Sequence, residues 1–132
     1  MKWIPLSPTG GLSETLEIPR RSRQAGDTPI FVGLWIMPDN ASEGTLETFL
    51  RFMIPDGSAP LWAHAEASVA SARVLGAACR ESHTAKAHLY TWLAWQDPPG
   101  QSGGKALTQR ILNPRSPISE AFVQWFLNLY QL

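Results

Sequence analysis

The residues with the clearest chemical potential stand where an apolar run stops. Ile30-Phe31-Val32-Gly33-Leu34-Trp35-Ile36-Met37 ends at Pro38, Asp39 follows at once, and Glu43 and Glu47 come shortly after. If the run is a strand, Asp39 sits beyond its carboxyl end. In open α/β sheets ligands collect there, because helix N-termini and strand-end side chains converge. Asp39 with Glu43 or Glu47 would offer hard oxygen ligands to Mg²⁺, which commonly takes one or two protein carboxylates and keeps several waters. Helix capping and surface solvation account for the same carboxylates without a metal, so spacing alone leaves both readings open.

The other constellations say less. His64 and Glu66 are two apart and do not share a helix face, which argues against a metal pair. Cys79, His83 and His88 are zinc-type ligands, but a structural zinc site needs four ligands in paired spacing. A packed cysteine and two partly exposed histidines are the better account. Cys79 and His83 as nucleophile and base would lack an oxyanion hole and a third orienting group. Ser102-Gly103-Gly104-Lys105 sets glycines and a lysine at a helix start, yet the Walker pattern is incomplete and no buried strand precedes it. Arg20, Arg21 and Arg23 form a basic cluster in a polar segment, which reads as solvated.

The elements that must position these residues follow from periodicity. Ile30–Met37 is continuously apolar and rich in β-branched and aromatic residues, the pattern of a strand buried on both faces. Gly33 within it points to close approach by another backbone. A shorter strand is expected within Leu12–Ile18. Asn40 or Ser42 is expected to cap a helix whose stripe is Leu46, Phe49, Leu50 and Met53, ended by Pro55-Asp56-Gly57. A second helix is expected from about Leu61 to Arg80, with Ala65, Val69, Ala72 and Cys79 inward. Thr84–Gln96 suits a helix or a strand, and its length favours the helix. After the loop 97–104 come a short helix over Lys105–Leu112 and a final one with Ser116 at its cap and Pro117 in its first turn. That last helix carries Ile118, Phe122, Trp125, Phe126 and Leu129 as its stripe, and Val123, Leu127 and Tyr130 widen the arc. Such a helix is deeply buried or packs on two sides.

The sum is a small, helix-rich α/β protein, one or two short strands packed with about five helices. Residues 1–29, dense in proline and glycine, form an irregular segment with room for one short strand, and 30–132 form a single α/β domain. Hydrophobic residues are 44% of the 132 and charged residues 17%, too apolar for disorder and consistent with one core. Six Trp mean a dense aromatic core or a surface covered by a partner. Eleven basic and eleven acidic residues cancel, so net charge gives no support to nucleic-acid binding or to an anionic membrane. Cys79 is the single cysteine, which excludes an internal disulfide and fits a reducing compartment. With no signal-peptide pattern and no apolar run near the roughly 18 residues a spanning helix needs, the cytoplasm is the expected location and no membrane is expected as a partner.

Five strings carry a resemblance: Gly33-Leu34-Trp35-Ile36-Met37-Pro38-Asp39-Asn40, Gly44-Thr45-Leu46-Glu47, His64-Ala65-Glu66, Lys86-Ala87 and Thr91-Trp92-Leu93-Ala94-Trp95-Gln96. Together they resemble an uncharacterised bacterial family with a Toprim-like domain, related to the OLD-type nucleases, over about residues 30–130. Toprim domains hold Mg²⁺ for phosphoryl transfer with a glutamate closing an early strand and a later Asp-x-Asp strand. Here no glutamate-glycine pair closes an N-terminal strand and no Asp-x-Asp occurs. The chain thus looks like the C-terminal portion of the family pattern, with residues 1–29 replacing or truncating the rest. The resemblance carries over Asp39 and Glu47 as acidic, metal-side residues and Lys86 as a phosphate contact.

Two-metal phosphoryl transfer needs several carboxylates around ions about 4 Å apart, and this chain is expected to be catalytically silent alone. The first expectation is a non-catalytic interaction module or subunit. A Mg²⁺-dependent nuclease-like enzyme completed by another chain is the alternative, and a truncated remnant without a role of its own is the third. An incomplete sheet with a bare edge invites pairing, so a homodimer is expected.

Overall fold

The apolar run begins as a strand and does not continue as one. The computed structural model describes residues 15–17 and 31–130. β1 (Thr15–Glu17) pairs antiparallel with β2 (Phe31–Gly33), with Thr15 opposite Gly33, Leu16 opposite Val32 and Glu17 opposite Phe31. β1 falls inside the expected strand Leu12–Ile18, and the rest of the segment 1–29 lies outside the described residues. The expectation of a strand over Ile30–Met37 buried on both faces is corrected. The ladder stops at Gly33, and burial alternates along the run: Val32, Leu34 and Ile36 are exposed, while Gly33, Trp35 and Met37 are half-buried. The open-sheet strand end expected beside Asp39 is corrected too, since the described sheet is a two-stranded antiparallel ribbon whose ladder ends at Gly33.

Caps decide where the helices start and stop. α1 (Leu46–Arg51) opens on Thr45, whose hydroxyl accepts from the Thr48 N–H at 3.4 Å while the Thr48 hydroxyl accepts from the Thr45 N–H at 3.1 Å. This reciprocal box satisfies two backbone donors, so neither Asn40 nor Ser42 is the cap. Phe49, Leu50 and Met53 are buried as expected, but Leu46 is exposed. α2 (Ala59–Val74) is shorter than the expected Leu61–Arg80. Gly76, at φ +97°, closes it as the Ala77 N–H reaches back to the Ala72 carbonyl at 2.9 Å, a left-handed C-terminal cap open to glycine. Ala65 and Val69 face inward. Ala72 does not, and Cys79 lies past the helix end.

α3 (Thr84–Ala94) is the helix the length of its segment favoured, with Leu89, Trp92 and Leu93 buried. α4 (Gly103–Thr108) starts before the expected Lys105, because the Ser102 hydroxyl accepts from the Lys105 N–H at 3.4 Å. α5 (Pro117–Tyr130) begins where expected, and the Ser116 hydroxyl accepts from the Ser119 N–H at 3.4 Å. Its burial is corrected. Ile118, Phe122, Trp125 and Leu129 are half-buried, whereas Val123, Phe126 and Tyr130 are exposed, so α5 packs on one side only.

The core gathers Phe49, Leu50 and Met53 from α1 and its C-terminal turn, Trp62 and Ala65 from α2, Leu89, Trp92 and Leu93 from α3, Ala106 from α4, and Leu112. Burying a large side chain of this kind contributes about 1.5–3 kcal/mol, so the helices and not the ribbon hold the molecule together. Asn113 ties the approach to α5 back to α1 through its N–H on the Met53 carbonyl at 2.6 Å. Among the described residues, no helix is long and apolar enough to cross a membrane.

Candidate functional site

The turn after the apolar run is a self-contained hydrogen-bonded unit. Pro38 is fully buried, and its carbonyl accepts from Trp35 Nε1 at 3.1 Å. Asn40 takes φ 63°, a region that asparagine tolerates better than most residues. It grips Ile36 twice: its N–H donates to the Ile36 carbonyl at 2.8 Å, and its side-chain oxygen accepts from the Ile36 N–H at 2.7 Å. Gly44 lets the turn close on α1, since a Cβ there would stand 2.9 Å from Pro38 Cδ and 3.0 Å from Thr48 Cβ.

Asp39 spends its carboxylate on this turn. Oδ1 accepts from the Ser42 N–H at 2.7 Å and the Ala41 N–H at 3.0 Å, and Oδ2 accepts from the Ser42 hydroxyl at 3.0 Å. The Ser42 N–H first, then that of Ala41, hold the Asp39 carboxyl below its ordinary value, because hydrogen bonds to the ionised form favour it. Of the two residues expected to cap a helix, Ser42 instead serves this side chain and Asn40 grips Ile36.

Glu47 points elsewhere. It sits in the first turn of α1, where its negative charge suits the N-terminal end of the helix dipole. Its side chain is only 17% exposed and lies 3.4 Å from Lys86 Nζ of α3, itself 60% exposed. Partial burial works to raise the Glu47 carboxyl. Its own backbone N–H, the Thr45 hydroxyl and the Lys86 ammonium together outweigh that and lower it. The structure therefore brings Glu47 and Lys86 together as an ion pair joining α1 to α3.

Glu43 is exposed in the loop before α1. Among the described residues, no three His, Cys, Asp or Glu side chains gather closely enough to hold a metal ion. Asp39, Glu43 and Glu47 thus form no such group of three, and neither do Cys79, His83 and His88.

An aromatic group backs the turn. Trp35 meets the Phe122 ring edge-on at 5.3 Å and lies 5.6 Å from Trp125, both on α5, and Phe49 of α1 meets Phe122 at 5.7 Å. Offset and edge-on pairs of this kind add about 0.5–1.5 kcal/mol beyond area burial. They fix the end of the apolar run against α5 and α1.

Sequence reasoning missed a second polar cluster. Trp62 Nε1 donates to Glu66 Oε1 at 2.8 Å. Arg51 and His88 Nδ1 approach the same oxygen at 3.7 and 3.9 Å, and the Arg51 guanidinium stands over the Trp62 ring at 5.4 Å. One carboxylate oxygen thereby links α1, α2 and α3. The signal for part of it was present, since Trp62 and Glu66 stand four apart on one helix face. His64, the residue weighed against Glu66, instead stacks on Trp95 with ring centroids 5.2 Å apart.

Fold and site define a small, helix-rich α/β protein in which Asp39 closes its own turn and Glu47 joins α1 to α3. The chain belongs to the family described as "Protein of unknown function (DUF3226)", whose signature matches residues 7–131. That match takes in most of the N-terminal segment that the sequence reading set apart. Compared with curated proteins and with solved structures, the chain has no match in either.

Proposed function

We propose that the chain is a Toprim-like module that acts as a subunit, associating with a second copy of itself and performing no phosphoryl transfer alone. The Toprim element rests on the five strings given above. The association rests on one observation: Val32, Leu34 and Ile36 are 43%, 57% and 54% exposed on the outer side of the ribbon strand and its extension. A strand with aliphatic residues on both faces reads as one covered on both faces, and α5 covers one.

A second copy is the occupant that fits best. Among the described residues β1 and β2 pair only with each other, and a strand edge of such a ribbon is what a two-fold partner extends. With formal net charge zero, two copies carry no net repulsion. The separation of this module from chemistry is supported by the uses its acidic residues already have. Asp39 closes its own turn, and Glu47 is neutralised by Lys86.

Light scattering on the full chain tests the association. A mass near twice 14.6 kDa, reduced to one chain by Leu34→Lys with unchanged helix content by circular dichroism, is expected. A monomer at all attainable concentrations overturns it. Incubation with Mg²⁺ or Mn²⁺ and mixed DNA and RNA tests the rest, with no cleavage expected. Cleavage abolished by Asp39→Ala would favour the metal-dependent enzyme completed by another chain, with Asp39 on its metal side.

A further inference from the structure

We draw no further inference here: the strongest candidate, the solvent-facing aliphatic pair Val74 and Leu75 at the tip of the α2–α3 connection, is a surface patch, and nothing in the structure shows what covers it.

Discussion

Asp39 and Glu47 were both legible as acidic residues near a strand end, yet what each does is set by partners at very different sequence distances. Asp39 is satisfied by Ala41 and Ser42, the local pattern that lets an aspartate mimic a backbone turn. At neutral pH, Asp39→Asn, which keeps an acceptor, should lower the thermal midpoint less than Asp39→Ala. The lowered carboxyl binds fewer protons folded than unfolded, so its contribution is present above its ordinary value of 3.8 and is lost as pH falls through that region. The gap between wild type and Asp39→Asn should close in melts taken progressively below that value. Lys86, by contrast, reaches Glu47 from a different helix, and no spacing rule connects them. A double-mutant cycle of Glu47→Gln and Lys86→Met should give a coupling of about 0.2–1 kcal/mol, toward the low end because Lys86 is well exposed. Glu47 is also held low, so its share is present above 4.5 and fades in acid, and high salt should weaken the coupling. A coupling that is unchanged in molar salt would mean the pair acts through packing and not charge.

At the scale of elements, the apolar spacing that announces a helix was readable, and the ends were not. Ile118, Phe122 and Trp125 made α5 visible, whereas the spacing over 84–96 suited helix or strand and only its length pointed to α3. The ends moved because caps are short-range chemistry that several neighbouring residues can supply: Thr45 won over Asn40 and Ser42 by pairing with Thr48, and Gly76 ended α2 ahead of Arg80. The strand was misjudged for another reason, since an unbroken apolar run records what its two faces can bury and not whether this chain covers both. Gly33 was read as a point of close approach by another backbone, and the neighbours that crowd it are α5 side chains instead. A Cβ there would lie 2.6 Å from Leu129 Cδ2 and 2.9 Å from Trp125 Cζ2. Gly33→Ala therefore requires the Leu129 and Trp125 side chains to shift or the strand to move off α5, with an expected loss of about 1–3 kcal/mol, the usual cost of overpacking. Urea denaturation measures it, and a neutral result would show that α5 yields freely at this contact.

The molecule as a whole is a helical core with a light ribbon attached, and the two parts should respond differently to self-association. Trp92, Leu89, Leu93 and Met53 sit at the centre of the core, so they set the intrinsic stability of one chain. Val32, Leu34 and Ile36 contribute little to that core, as their exposure shows, and their contribution appears only when something covers them. If the cover is a second copy, folding and association are linked, and the midpoint must rise with chain concentration because the dimer is favoured by mass action. Leu34→Lys places a charge where the partner's apolar face would lie, so it should flatten that concentration dependence while matching the wild-type midpoint at the lowest concentration. Leu93→Ala should do the opposite. It opens a cavity worth about 2–5 kcal/mol in the core, lowering the midpoint at every concentration while leaving the slope in place. Melts of the three proteins across a wide concentration range separate these effects. A wild-type midpoint that does not move with concentration would remove the second copy as the cover of the ribbon, however stable the helical core proved to be.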